Sequence, residues 1–429
     1  MRLSERHTIE IFCEVVKSPD HPIYNREDAL KALVISVGTG TLGSDENTKG
    51  LAEALAYSVR HHSPDKVFFV VTKESAEKTL PKVLQVLKEF DYEIIELKSP
   101  DNLQHIYDEL RGNIKAIRRG YSYFVVDFTS GTKSMTAALA ILGAIYGANE
   151  LSYISGKRQG GVVQSGTEHI LSIRPYFIIA EQRFIMAVEF FNASQYEACA
   201  SILRNILSMT RDPDILQRFE PILRLAEAYA MWDRFQHQKA FDAIREIGMK
   251  EIEKNKRFLG KLLNAYSKGK DVEPYIIADL INNARRRGEC ELKYDDAVAR
   301  LYRTTELIAQ YKLKRDHQID ASKADPCQMP PELISELGMK IDGPIKLGLD
   351  KSYRLLFSKG DELGKYYVEN EELRGLLSKR NLSILAHGIE PVDRNTYVKL
   401  LEFVTQLAHK TVEDLHTLLE DSTFIKILQ

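Results

Sequence analysis

Leu33-Val34-Ile35-Ser36-Val37-Gly38-Thr39-Gly40-Thr41-Leu42-Gly43 runs from a β-branched apolar segment straight into glycines with the G-x-G-x-x-G spacing. A buried strand that ends in such a turn is the opening unit of a parallel, doubly wound sheet. The glycines let backbone amides approach an anion without a Cβ in the way. Further apolar runs at 66–72, 92–97 and 121–128 alternate with helical periodicity, and 151–155 and 169–173 complete five or six strands. Continuous hydrophobicity predicts strands covered by helices on both faces. The strand-helix alternation predicts right-handed parallel crossovers. A nicotinamide site would also need an acid at the end of the second strand. The residues there are Val71-Thr72-Lys73, with the first acid displaced to Glu74, so an oxidoreductase built on this loop is disfavoured.

A second loop of phosphate-binding type follows the fourth strand, at Asp127-Phe128-Thr129-Ser130-Gly131-Thr132-Lys133-Ser134-Met135, before a helix over 136–146. Ligands of open parallel sheets sit beyond the carboxyl ends of the strands where the winding reverses, which predicts that the first and fourth loops meet. Ser130, Thr132 and the amides of the helix N-terminus can donate to a phosphodiester, and Lys133 supplies charge. A Walker A pattern is absent, which disfavours ATP hydrolysis. The alternative for Ser130 and Thr132 is simple helix capping.

After Arg174-Pro175 the strand-like runs stop and a 3.6-residue period takes over. Helices are predicted over 182–193, 195–210, 215–231 and 236–247, then over 275–287 and 295–313. Residues 314–351 carry Pro326, Pro330, Pro331, Gly343, Pro344 and Gly348, which predicts a long insertion loop. Helical patterning resumes at 352 and continues, through a turn at 388–393, to 427. The fold class is therefore α/β plus all-α: a Rossmann-like sheet domain over 1–178, a helical linker over 179–273 and a helical bundle over 274–429.

Near the end stands Lys379-Arg380-Asn381-Leu382-Ser383-Ile384-Leu385-Ala386-His387-Gly388. Seven steps separate Arg380 from His387, which on one helix returns to nearly the same face, about 10 Å further along the axis. The expectation is a helix held to its bundle by Leu382, Ile384 and Leu385, ended by Gly388 and stopped by Pro391. Histidine exchanges protons near neutral pH and arginine neutralises phosphoryl oxygens, so the pair suits phosphodiester chemistry. The alternative is a histidine that caps its own helix beside a surface arginine. Arg2 and His7, five steps apart, form a second arginine-histidine pair but lack the adjacent asparagine and the apolar frame.

The two glycine-bearing loops resemble those of the CARF domain, the CRISPR-associated Rossmann-like sensor of cyclic oligoadenylates, over about residues 30–178. The Arg380 segment resembles the HEPN ribonuclease motif, and the order of parts resembles the CARF-HEPN ribonucleases of type III CRISPR systems. This resemblance implies that Gly38, Thr39, Gly40, Thr41, Ser130, Gly131, Thr132, Lys133, Ser134 and Met135 cradle a cyclic oligoadenylate, tetra-adenylate before hexa-adenylate. It implies Arg380, Asn381 and His387 as the catalytic set of a single-stranded RNA endoribonuclease, switched on by the ligand as allosteric activator. A ring with rotational symmetry is read best by a two-fold dimer, so a homodimer is implied. RNA carries its own nucleophile in the 2′-OH, so neither metal nor other cofactor is expected, and products should end in a 2′,3′-cyclic phosphate or its hydrolysis product. The sensor loops could also cut their own ligand, through Thr39, Ser130 or Lys133. The competing reading is a ligand-sensing regulator without nuclease activity, whose helices bind DNA. No helix-turn-helix with a basic recognition helix supports it.

Composition agrees with these limits. Lys+Arg 59 against Asp+Glu 61 leaves a net charge of −2, too little for a global nucleic-acid field, so RNA contacts must be local. Cys13, Cys199, Cys290 and Cys327 are widely spaced, which argues against a disulfide framework and a cysteine zinc site. The longest apolar stretch, 137–148, is too short to span a bilayer, and a cytoplasmic protein is expected. Asp295-Asp296 reads as helix-dipole complement, and Arg303 with Glu306 as a surface pair or a support of the nuclease face. Arg285-Arg286-Arg287 reads as a solvated basic face before a guide for RNA phosphate. His61-His62 and Asp316-His317 lack convergent ligand sets for a metal.

Overall fold

The computed structural model describes residues 30–40, 45–87, 89–159, 162–163, 166–210, 212–336 and 343–428. Thr41, with Leu42 and Gly43, lies outside the described residues, as do Arg2, His7 and Cys13. The chain divides into two compact units, 1–182 and 183–429.

The first unit contains β1 (Lys31–Val37), α1 (Asp45–His62), β2 (Lys66–Thr72), α2 (Lys73–Lys78), α3 (Leu80–Val86), β3 (Asp91–Leu97), α4 (Leu103–Gly120), β4 (Tyr123–Asp127), α5 (Lys133–Ile145) and β5 (Glu150–Ser155). A small hairpin of β6 (Arg158–Gln159) and β7 (Val162–Val163) precedes β8 (His169–Ile173). The six-stranded sheet has the order β3-β2-β1-β4-β5-β8, with the first five strands parallel. β8 departs from the all-parallel expectation and pairs antiparallel with β5, Leu151 opposite Ile173. Its link to β5 contains no helix among the described residues, and a parallel return would have needed a crossover.

Alternate residues of each strand feed two cores, which is why the strands read as unbroken apolar runs. Ala32, Val34, Phe68, Val70, Phe124 and Val126 pack with Ile106, Leu110 and Ile114 of α4 and Leu139 and Leu142 of α5. Leu33, Ile35, Val37, Phe69 and Val125 pack on the other face with Leu55 and Val59 of α1 and with Leu80 and Val83 of α3. β3 is the exception. It is an edge strand with Tyr92 and Ile94 exposed, and its Asp91 and Glu93 pair with Lys66 of the neighbouring strand. Charged edges discourage further strand addition.

The second unit is helical. α6 (Tyr176–Asn192) starts directly after β8 and runs across the division between the units. It is followed by α7 (Tyr196–Ser208), α8 (Pro213–Asp233), α9 (His237–Ile244), α10 (Glu253–Ser267) and α11 (Glu273–Arg285). A π-helical turn, Arg286–Cys290, leads to α12 (Tyr294–His317). The predicted insertion loop is shorter than expected: α12 continues to His317, a short α13 (Pro331–Glu336) lies within the segment, and α14 begins at Leu349. α14 (Leu349–Ser358), α15 (Glu362–Glu369), α16 (Glu371–Asn381), α17 (Arg394–His409) and α18 (Leu415–Asp421) complete the bundle. No helix among the described residues is long and apolar enough to cross a membrane.

The arginine triplet is not a solvated basic face. Arg286 and Arg287 are withdrawn from solvent onto the Asp233 carboxylate, and Arg287 also pairs with Glu291. Asp279 of the same cluster accepts from Trp232 at 3.0 Å and contacts the ring of His237 at 2.8 Å. Paired and hydrogen-bonded in this way, the charges are structural, because a buried charge left alone would be prohibitively costly.

Candidate functional site

The sheet order puts β1 beside β4, so their carboxyl-terminal loops meet at the winding switch. The Ser130 hydroxyl donates to the Ser36 carbonyl at 2.7 Å and accepts from the Gly38 amide at 3.0 Å, and the Ser36 hydroxyl donates back to the Ser130 carbonyl. A Cβ on Gly38 would lie 2.6 Å from the Gly131 nitrogen, so only glycine allows this approach. Gly40 and Gly131 have φ of 78° and 108°, both in glycine's territory. Thr39 sits beside Gly38 and accepts at its carbonyl from Thr48 at 3.5 Å.

Beyond Ser130 the second loop turns into α5. Thr132 caps the helix by accepting from the Met135 amide at 3.2 Å, and its hydroxyl donates to the Pro100 carbonyl at 2.6 Å. The Ser134 hydroxyl donates to the Asp101 carbonyl at 2.9 Å. Met135 is buried in the core with its side chain packed beneath Gly131. Lys133 is exposed at the first helical position, and no described residue pairs with its ammonium group. Among the predicted residues, then, the helix start with Lys133 offers charge and unclaimed donors. The hydroxyls of Ser130, Thr132 and Ser134 hold the loops in shape. Glu74 is paired with Lys78 at 2.7 Å on the helix surface and offers nothing to a ribose at the β1 loop.

Beneath the loops lies a buried polar cluster that sequence reasoning missed. Asp127, fully buried at the end of β4, accepts from Ser58 and from the Thr129 amide at 2.8 Å. Burial pushes its carboxyl above the usual range, and the hydrogen bonds from Ser58, Thr129 and Ser152 pull against that. His62 contacts Ser152 at 3.0 Å, and desolvation lowers its pKa to about 4. It is a satisfied neutral core histidine, with no cluster of metal-ligating residues found among the described residues.

In the second unit the predicted helix through 380–388 does not form. α16 ends at Asn381, and the amides of Leu382 and Ser383 turn back to carbonyls of the last helical turn, at 3.1 Å for Leu382 to Lys379 and 3.1 Å for Ser383 to Arg380. A closed loop follows: His387 donates to the Asn381 carbonyl at 3.2 Å, Gly388 to Ser383 at 3.2 Å and Glu390 to Leu382 at 3.1 Å. Leu382, Ile384 and Leu385 are exposed by 54%, 67% and 46%, so no buried stripe exists to sustain a helix there. In place of the helix register, the His387 amide is hydrogen-bonded to the carbonyl of Asn381, the residue next to Arg380. Asp295 accepts from the Val392 amide at 3.2 Å and fixes the far end of the segment to α12, a role its dipole-complement reading did not include. Asp296 pairs with Arg300 at 3.0 Å.

Arg380 is half-buried and lies over the Tyr302 ring of α12, 4.5 Å from its centroid. Its Nε is buried with no hydrogen-bond partner among the described residues, and no described carboxylate lies within ion-pair reach. His387 is exposed and its imidazole has no hydrogen-bond partner among the described residues. Asn381 is exposed beside them. Arg303 and Glu306 pair with each other at 2.7 Å on the surface of α12. The result, among the described residues, is a guanidinium without a carboxylate at a helix end and an imidazole without a hydrogen-bond partner in the loop that follows, groups able to neutralise a phosphoryl group and exchange a proton.

Comparison with known proteins points to one class of chain. A Csm6 6H domain profile matches residues 180–272 and a Csm6 HEPN domain profile matches residues 265–411. The CRISPR system endoribonuclease Csm6 of Thermus thermophilus is 25% identical, over 89% of this chain and 85% of that protein. The structure of Enterococcus italicus Csm6 bound to cyclic hexa-2′-fluoro-hexa-dAMP matches with a TM-score of 0.57 at 13% identity, over 92% of this chain and 98% of that one. A Rossmann-like sheet unit followed by helical 6H and HEPN regions defines a CARF-HEPN ribonuclease of CRISPR type. The chain belongs to the Csm6 family of endoribonucleases.

Proposed function

We propose that this chain cuts single-stranded RNA without a metal ion, under the control of a cyclic oligoadenylate bound at the β1 and β4 loops, with Arg380, Asn381 and His387 as the catalytic set. The observation that carries the reading is the Arg380 guanidinium, half-buried yet without a carboxylate partner among the described residues, at the helix end to which the His387 loop is hydrogen-bonded. In the proposed step the ribose 2′-oxygen attacks the adjacent phosphorus and the bond to the 5′-oxygen breaks, leaving a 2′,3′-cyclic phosphate and a 5′-hydroxyl. His387 takes the 2′-proton or delivers one to the leaving oxygen. Arg380 neutralises the charge gathering on the phosphoryl oxygens. Asn381 places His387 through its carbonyl and faces the RNA with its amide. The domain division proposed is 1–178, 179–273 and 274–429.

One guanidinium and one imidazole per chain make a thin site, and the active unit proposed is a homodimer with two such sets facing each other. Leu382, Ile384, Leu385 and Ile389, all exposed around the motif, supply the apolar surface that a second copy would cover. Ligand then shifts the nuclease pair by as much as it prefers one arrangement of the sensor pair over the other.

The test is cleavage of a fluorescent RNA in EDTA, with cyclic tetra-adenylate and cyclic hexa-adenylate supplied in turn. Tetra-adenylate is the ring proposed, and the ligand named for the Enterococcus italicus structure makes hexa-adenylate the necessary comparison. Cleavage stimulated by one ring in the presence of EDTA is the expected result. Cleavage restored only by added divalent metal, or indifferent to both rings, would overturn the proposal.

Gly38→Ala tests the ligand loops. The added methyl must displace the Gly131 backbone and break the Gly38 to Ser130 bond. Overpacking of this kind costs about 1–3 kcal/mol, so the activator concentration for half-maximal cleavage should rise roughly 5- to 150-fold. Gly112→Ala in α4, where a Cβ meets nothing within 4 Å, should leave the activation curve where it was.

A further inference from the structure

Several withdrawn arginines of the helical unit are neutralised: Arg286 and Arg287 lie on Asp233, and Arg300 pairs with Asp296 at 3.0 Å. Arg374 and Arg380 of α16 are not, since the Nε of each is buried without a partner among the described residues. Of these two, Arg380 belongs to the proposed catalytic set. Its guanidinium has the Tyr302 ring beneath it, 4.5 Å from the centroid, and its Nε is buried without a partner among the described residues. The carboxylates that act electrostatically on Tyr302, Glu306 and Asp350, are both engaged elsewhere: Glu306 by Arg303 at 2.7 Å, and Asp350 by Arg354 at 2.8 Å and the Tyr367 hydroxyl at 3.1 Å.

We propose that Tyr302 is a positioning residue of the nuclease: its ring face holds the Arg380 guanidinium in place without neutralising it, so that the full charge is kept for the scissile phosphate. The inference rests on the assignment of Arg380 to catalysis made above. A carboxylate in the same place would hold the arginine more tightly but would compete with the phosphate for its donors. An aromatic quadrupole attracts the cation through its face and leaves the guanidinium edge, where the N–H donors lie, unoccupied. The Arg303–Glu306 pair takes on a purpose as well, since it keeps Glu306, one helical turn from Tyr302, away from Arg380. Nothing in the sequence links Tyr302 to Arg380, 78 residues away; only the packing of α12 against α16 brings them together.

The experiment replaces Tyr302 with phenylalanine and then with mono-, di- and trifluorinated phenylalanine, a series that keeps the shape of the ring while draining negative charge from its face. Single-turnover cleavage of a fluorescent RNA is followed in the full-length protein with the activating cyclic oligoadenylate at saturation. Tyr302→Phe should cleave within about threefold of wild type, and each fluorine should lower the rate further, reaching about 10-fold by the third. The RNA concentration for half-saturation should stay constant, because the ring acts on transition-state charge and not on RNA docking. A rate that ignores fluorine count overturns the inference, since shape alone would then explain the contact. A full loss already at Tyr302→Phe also overturns it, because the hydroxyl and not the face would be responsible. Arg380→Ala is measured alongside. If that variant still cleaves, the catalytic assignment of Arg380 has failed and Tyr302 falls with it. If it is dead while the fluorinated series is flat, only the Tyr302 inference fails.

Discussion

Arg380→Ala and His387→Ala should each remove RNA cleavage to within detection while leaving cyclic oligoadenylate binding at its wild-type affinity. The two losses have different physical sources. Deleting a donor aimed at developing phosphoryl charge typically costs about 10²- to 10³-fold, and deleting a general acid or base about 10²- to 10⁴-fold. Arg380→Lys should recover little. An ammonium group is a compact point charge without a flat face to lie on the Tyr302 ring, and it cannot offer paired donors to two phosphoryl oxygens. Both alanine variants should fold, because His387 is exposed and Arg380, beyond its contact with the Tyr302 ring, makes no ion pair among the described residues. Ligand binding measured by calorimetry on the same preparations completes the test. A folded variant that loses both activities would contradict the assignment of sensing to the sheet unit and cutting to the helical one.

The parts of this molecule that were legible in the sequence are those where burial is symmetrical. β1, β2 and β4 are packed on both faces, so their residues had to be apolar throughout, and the pattern reads directly. β3 was misread as equally covered because Tyr92 and Ile94 have core chemistry at a solvent-facing edge. The meeting of the two glycine loops followed from winding logic alone, but the division of labour within them did not. Hydroxyls look alike in a sequence whether they face a ligand or, as in Thr132 and Ser134, tie down the Pro100 and Asp101 carbonyls. The arginine triplet was opaque for a related reason: Asp233 and Asp279, its neutralising partners, are brought to it by tertiary packing and not by sequence proximity. The Arg380 to His387 spacing was visible, but its geometry was not. Seven residues return to the same side of a helix, and seven residues also close a hydrogen-bonded loop. The exposed Leu382, Ile384 and Leu385 mimic a core stripe in a string of letters.

That loop makes Gly388 the residue whose substitution should do most damage without touching a group proposed for catalysis. A Cβ at Gly388 would lie 1.9 Å from the Leu382 carbonyl oxygen and 2.4 Å from its carbon. Both are backbone atoms at the mouth of the loop, so no side-chain rotation can make room. Gly388→Ala must therefore open the turn, and the bonds from Gly388 to Ser383 and from Glu390 to Leu382 are lost with it. The His387 to Asn381 bond closes the same turn and should lengthen or break, which shifts His387 relative to Arg380. Misplacement of a catalytic group by about 1 Å can cost around 100-fold, and a loss of that size is the expected result for RNA cleavage. The rest of the bundle should not notice. The loop is a surface segment, its neighbours Ile384 and Ile389 are already exposed, and Val392 remains clamped to Asp295 beyond it. Melting temperature and activator affinity should accordingly match wild type. Gly375→Ala, on the exposed side of α16 with nothing within 4 Å of its Cβ, is the control that should cleave RNA normally. Wild-type cleavage in Gly388→Ala would mean that His387 can work from an opened loop, and the closed turn would lose its place in the mechanism.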